Sequence, residues 1–288
     1  MGRSNKWVIV GGMVLCLTVA QPTWAGSIFL TGHDPDFHAQ AGNVAGARHI
    51  NTAAIDFIMD PAFNPFVAGG VSKFLFVESK GSVPGGHLRG VNGIIASWFA
   101  SGVDFDHHDF TTLDGALDRL GTDYSAIVVA SDFGGILRQA ELDILNARSA
   151  DIIDFLNNGG GIYAMAESNG GAHLTPTGGR FGFLPFVVTS TMFDQSEVGI
   201  AVTPFGASLG LADADVNGNF SHNIFLGTSG LEIVDLDRLG QILSLGGRGR
   251  VGEGGVEDEG GAIPEPSSLI LVGTGLTGVL VRRRRRPV

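Results

Sequence analysis

The chain of 288 residues is 44% hydrophobic and 16% charged, with 45 glycines and 19 phenylalanines, a composition that excludes a disordered protein and supplies a sizeable core. Its net charge is -11. Once Arg3, Lys6, Glu265 and Arg282 to Arg286 are set aside, the body carries about -17, a field that repels nucleic acid and anionic membranes and attracts cations.

Arg3 and Lys6 precede an apolar run from Trp7 to Ala20, and Gln21-Pro22-Thr23-Trp24-Ala25 leads into Gly26 with small residues where a signal peptidase cuts. Residues 1–25 read as a secretory signal peptide. The single cysteine, Cys16, lies inside that run behind Leu15, whereas lipoprotein processing wants a small residue there. The mature chain is therefore expected to lack cysteine, and with it disulfide and thiolate chemistry.

Residues 26–245 are expected to form one α/β domain. Strands are predicted over Ser27–Thr31, Lys73–Val77, Val103–Phe105, Ala126–Ala130 and Gly161–Ala166, separated by helices over Ala45–Met59, Leu88–Phe99, Leu113–Leu120 and Gln139–Leu156. This alternation predicts an open, mostly parallel sheet of flavodoxin-like type with helices on both faces. After Thr177 the pattern turns Gly-rich and β-leaning, with added strands expected over Phe186–Thr191, Val198–Thr203 and Leu231–Val234.

In such a sheet ligands sit beyond the carboxyl ends of the strands. The residues there are polar: His33, Asp34, Asp36 and His38 after the first strand, Glu78 and Ser79 after the second, Ser131 and Asp132 after the fourth, and Glu167, Ser168, Asn169 and His173 after the fifth. They are expected to converge on one crevice. Ala166-Glu167-Ser168-Asn169-Gly170 has the small-x-nucleophile-x-small spacing of a strand-to-helix elbow. Ser168 is thus a candidate nucleophile beside Glu167, with His33, His38 or His173 as base and Asp34 or Asp36 orienting it. Alternatively, Ser168 is a serine that hydrogen-bonds its own turn.

His33, Asp36 and His38 also carry ligand chemistry for zinc or manganese. The run loosely resembles the His-Pro-Asp-Asp motif of zinc-dependent sugar deacetylases, although the order here is His-Asp-Pro-Asp and the partner histidine motif is not evident. A second group, Asp104, Asp106, His107, His108 and Asp109, has suitable atoms but reads equally as a solvated turn. Asp213, Asp215, Asn217 and Asn219 stand at alternate positions of a calcium-loop pattern with Gly218 at the sixth. Ile224 at the twelfth supplies no carboxylate, which leaves either a weakened calcium site or an Asx-rich turn.

Residues 246–262, Gly-rich and acidic, read as a flexible tether. Residues 263–288 follow as a tail: Pro264-Glu265-Pro266, an apolar stretch from Ser267 to Val281, and the arginines Arg282 to Arg286. The stretch covers roughly 22 Å as a helix against a hydrocarbon core of about 30 Å, so the arginines would snorkel on the cytoplasmic side.

Tripeptide, short membrane helix and arginine cluster in this order resemble a PEP-CTERM sorting signal. That resemblance implies recognition by an exosortase after signal peptidase cleavage, removal of the tail, and delivery to the envelope or exopolysaccharide of a Gram-negative bacterium. The segments Asp123 to Val129 and Gly159 to Met165, with a long helix between them, resemble the class I glutamine amidotransferase-like superfamily, which includes trehalose-utilisation-like proteins. The superfamily carries its cysteine nucleophile on the turn after the Gly run; here Glu167 and Ser168 occupy that region, so thiolate-dependent glutaminase chemistry is excluded in a chain that has lost Cys16. The expectation is an exported, non-catalytic binding domain, with exopolysaccharide as a partner and no nucleic acid. The rival reading is an extracellular serine- or metal-dependent hydrolase of polysaccharide or ester substrates.

Overall fold

The computed structural model describes residues 26–132, 134–165, 181–184, 186–196, 199–218, 220–252 and 255–257. The signal segment, the Glu167–Ser168 turn, His173, Asn219 and the tail with its expected membrane helix lie outside them. Among the described residues no helix is long and apolar enough to cross a membrane.

Strand β1 (Gly26–Thr31) is followed by a single helical turn α1 (Pro35–His38), helix α2 (Val44–Ile58) and a second short turn α3 (Pro65–Ala68). In α2, Ile50, Ala53, Ala54, Phe57 and Ile58 recur at helical spacing and are all buried. Asn43 caps the helix by accepting from the Gly46 amide at 3.1 Å. Next come β2 (Lys73–Val77), α4 (Gly90–Ala96), β3 (Phe105–His108), α5 (Leu113–Leu117), β4 (Tyr124–Val129), α6 (Gln139–Ala147), α7 (Ser149–Asn157) and β5 (Gly161–Ala164). The second half comprises β6 (Ser190–Ser196), β7 (Ala201–Val202), α8 (Pro204–Ser208), α9 (Asp213–Val216), β8 (Phe220–Phe225), β9 (Glu232–Leu236), β10 (Ile242–Gly252) and β11 (Gly255–Glu257).

The first five strands pair in parallel in the order β3-β2-β4-β5-β1. Period-two alternation divides their side chains between two apolar layers. Leu75, Val77, Ile127, Val129 and Ile162 meet α5, α6 and α7 on one face, and Phe74, Phe76, Val128 and Tyr163 meet α2 and Ile94 of α4 on the other. Phe74 stacks on Phe105 across the parallel ladder with ring centroids 5.1 Å apart.

Several expectations need correction. The sheet is mixed, not mostly parallel: β10 runs antiparallel to β1 and carries β8, β6, β9 and β7 on its far side. The stretch from Gly246, expected as a tether, is sheet interior, with Gly246, Gly247, Arg248 and Gly249 opposite Phe29, Ile28, Ser27 and Gly26. The helix expected over Gln139–Leu156 is divided at Arg148 into α6 and α7, and the Arg148 guanidinium binds Asp114, Asp118 and Asp151. The third strand begins at Phe105, after a turn through Gly102 at φ 83°.

Because Gly26 pairs with Gly249, the amino end of β1 and the far part of β10 share one pole. The carboxyl ends of the parallel strands form the opposite pole.

Candidate functional site

At that opposite pole the loops after β1, β2 and β4 close on a buried polar cluster. His33, Asp34, Asp36, His38, Glu78, Ser79, Ser131 and Asp132 are all buried, and Ser221, His222 and Asp235 of β8 and β9 are buried with them. The crevice expected from the sequence therefore includes His33, Asp34, Asp36 and His38. Glu78, Ser79, Ser131 and Asp132, also expected there, lie with them, while Ser221, His222 and Asp235 come from antiparallel strands that the sequence did not single out.

Asp36 accepts from the Ser131 amide at 3.0 Å and from the Ser131 hydroxyl at 2.7 Å, and the Gly135 amide donates to that hydroxyl at 2.6 Å. Burial, then the charge of Asp34, pushes the Asp36 carboxyl up to about 6. The set His33, Asp36 and His38, expected as zinc or manganese ligands, is thus divided, since Asp36 belongs to the Ser131 loop. His33 turns instead toward Asp235, its Nε2 2.9 Å from Asp235 Oδ2 and its Nδ1 3.0 Å from the Ser221 hydroxyl. A hydroxyl, an imidazole and a carboxylate stand in line there, but Ser221 is 0% exposed and no substrate reaches its oxygen. The chain of hydrogen bonds works as a brace between the β1 loop, β8 and β9.

His38 keeps company with Asp34. Its Nε2 lies 3.1 Å from Asp34 Oδ1, and His222 Nε2 lies 3.5 Å from Asp34 Oδ2. Burial raises the Asp34 carboxyl, yet contacts with His222 and His38 outweigh it and hold the group below its usual range. For His38, burial works against protonation and the nearby Asp34 prevails, so its imidazole titrates above the usual value.

Glu78 binds the first amides of α4, with Gly90 N donating to Oε1 at 2.5 Å and Val91 N to Oε2 at 3.1 Å. Burial drives its carboxyl from 4.5 up to about 7. A folded-state value above the unfolded one means that the native state holds the proton more tightly. Stability is then full below about pH 4.5 and declines until about pH 7, by at most roughly 3 kcal/mol for this group. Urea unfolding at pH 5 and pH 8 is expected to show this decline and to show it reduced in Glu78→Gln; an equal decline in both proteins would contradict the assignment.

Of the candidate calcium segment, Asp213 and Asp215 lie in the short helix α9, Asn217 follows it, and Asn219 is outside the described residues. Asp213 Oδ1 accepts from Val202 N, Asp215 Oδ2 from Ala212 N, and Asn217 Oδ1 from Gly199 N and Ile200 N. Asp215 also pairs with His49 at 2.9 Å. These oxygens serve backbone and imidazole partners. In the second acidic group, Asp106 binds Lys73 and the Tyr124 hydroxyl, and His107 Nε2 donates to the Glu78 carbonyl.

Beside the cluster, β2 and β4 are neighbours whose chains depart in opposite directions, β2 through α4 to β3 and β4 through α6 and α7 to β5. A cavity of about 350 Å³ opens at this switch point, walled by Pro84 and His87 of one loop and by Asp132, Gly135, Ile136, Leu137, Arg138 and Gln139 of the other. His87 Nδ1 donates to the Gly135 carbonyl at 2.9 Å, and Arg138 donates to the Ser82 carbonyl at 2.6 Å, fastening the two walls together.

Residues 262–286 match the PEP-CTERM protein-sorting motif, which implies exosortase processing, export and sorting to the cell surface of a Gram-negative bacterium. The match includes Pro264, Glu265 and Pro266, as their order predicted. No curated protein and no solved structure matches the chain, so the amidotransferase-like resemblance of the central domain gains no support from them.

Proposed function

We propose that this is a cell-surface binding protein, sorted through its tail, that takes a small ligand or a short polymer segment in the cavity between the β2 and β4 loops. The observation that carries the reading is the position of that cavity, at the point where neighbouring parallel strands send their connections apart. Its volume falls in the range of small-molecule sites, and its apolar walls carry a few polar groups able to orient a ligand. The last described strand, β11, pairs with the far part of β10, at the pole opposite the cavity. Exopolysaccharide is the ligand source that this destination supplies. The hydrolase alternative rests on Ser168 and Glu167, which lie outside the described residues, and the hydroxyl–imidazole–carboxylate line through Ser221 is buried.

Calorimetry of the full-length protein with exopolysaccharide fragments from its own producer tests the reading. Binding is expected, and Ile136→Trp, which fills the cavity, should weaken it at least about tenfold, or 1.4 kcal/mol. Equal affinity in the variant would remove the cavity from the account. Replacing Pro264 and Pro266 by alanine is expected to leave most of the protein in the inner-membrane fraction, while unchanged surface display would contradict exosortase sorting.

A further inference from the structure

We propose that Asp34, His38 and His222 hold one divalent transition-metal ion, zinc by preference, in a site separate from the cavity. One ligand atom from each lies within 4.8 Å of the others, and all three residues are buried. Ligand atoms arranged tetrahedrally at 2.0–2.1 Å from an ion stand roughly 3.3 Å apart. The contacts of 3.1 Å from Asp34 Oδ1 to His38 Nε2 and 3.5 Å from Asp34 Oδ2 to His222 Nε2 are of this order, each made by a different oxygen of one carboxylate, which binds an ion through either or both.

The hydrogen bonding around the cluster points the same way. His38 Nδ1 lies 3.0 Å from the Ala41 carbonyl, which can only accept, so Nδ1 carries the hydrogen. A neutral His38 then turns its bare Nε2 lone pair toward Asp34. Asp34 Oδ1 is buried and receives no well-directed hydrogen bond. With no ion bound, a proton on Nε2 joins His38 to Asp34 in this dry interior; a metal ion displaces that proton and takes its place between the same two atoms. The Nδ1 contact with a backbone carbonyl is also the outer-shell bond that fixes a ligating histidine's tautomer.

The frame around the ligands is stiff. The bridge between His33 and Ser221, with the hydrogen bonds from His33 to Ser221 and Asp235, anchors the residues next to Asp34 and His222. Above, the loop backbone approaches so closely that a Cβ on Gly134 would stand 2.1 Å from Asp34 Oδ2. Two imidazoles and one carboxylate suit zinc over calcium or magnesium. Three protein ligands leave a further position open, as in zinc sites that bind an exchangeable water.

The test uses the full-length chain, stripped with chelator and titrated with cobalt(II) as a spectroscopic probe. One equivalent of cobalt is expected to give the visible absorption of a low-coordinate site, and zinc to displace it. Asp34→Asn and His222→Ala should each weaken binding by at least about a hundredfold, beyond the loss of an outer-shell partner, while His49→Ala should leave it unchanged. A wild-type chain that takes up no cobalt or zinc stoichiometrically overturns the proposal, whether or not the variants fold. So does an Asp34→Asn or His222→Ala protein that binds as tightly as wild type. The polysaccharide titration is read on a different site, so either result can fail without the other.

Discussion

A chain ending at Leu245 is expected not to fold, whereas one ending at Gly261 unfolds cooperatively like the full-length protein. β10 is an interior strand, with β1 on one side and β8 and β9 on the other. Cutting at Leu245 removes the partners of Gly26, Ser27, Ile28 and Phe29, all in a strand buried along its whole length. Each buried backbone group left without a partner costs about 1–3 kcal/mol, and several together exceed the roughly 5–15 kcal/mol that holds a domain of this kind folded. The same cut removes Arg248, which lies over the rings of Phe57 and Phe63 and pairs with Asp60 at 2.9 Å. Urea titration followed by circular dichroism separates the outcomes. A cooperative transition at the wild-type midpoint in the shorter chain would show that β10 is dispensable beyond Leu245.

Gly93→Ala is expected to destabilise the protein by about 2–4 kcal/mol, against the usual preference of helices for alanine. Gly93 lies within α4, where a Cβ would stand 1.8 Å from the Asp36 carbonyl oxygen and 2.6 Å from its carbon. Those are backbone atoms of α1, so relief requires the two helices to separate. Separation would pull Asp36 from Ser131 and disturb the turn between Asp34 and His38. Gly115 in α5 is the control, since a Cβ there meets nothing within 4 Å. Gly115→Ala should be neutral or stabilising by up to about 1 kcal/mol. Denaturant midpoints of the two variants decide the matter, and equal shifts would refute close approach at Gly93.

The parallel half of the fold was legible in the sequence because its signals are local. Lys73–Val77 is a strand with the expected limits, and the apolar spacing of α2 falls within a residue of its predicted ends. In the antiparallel half β7 lies within the strand expected over Val198–Thr203 and β9 overlaps the one expected over Leu231–Val234, but β8 was missed and β10 was hidden by glycine, which has low strand propensity and reads as tether. The structure supplies the reason for those glycines: a Cβ on Gly246 would stand 3.0 Å from the Phe205 ring and one on Gly247 2.8 Å from Leu231. Neighbouring side chains occupy the space that ordinary strand residues would need. The break at Arg148 was invisible because Leu142, Leu145, Ile152 and Leu156 keep facing the same apolar layer on either side of it.

The candidate site divides along similar lines. The rule that function gathers at the carboxyl ends of parallel strands located His33, Asp34, Asp36, His38, Glu78 and Ser131. It could not find Ser221, His222 or Asp235, which arrive from β8 and β9 across separations such as 188 and 202 residues. The polar run Ser221-His222-Asn223 set between Phe220 and Ile224-Phe225 was the available signal. It became meaningful only once the strand lay beside Gly32 and His33.

The most direct test of the account is a native mass spectrum of the protein released from its own cell surface. The account predicts a polypeptide lacking residues 1–25 and the C-terminal arginine cluster, carrying the added mass of one divalent metal ion. A full-length, metal-free chain with Cys16 and Arg282 to Arg286 still attached would contradict it.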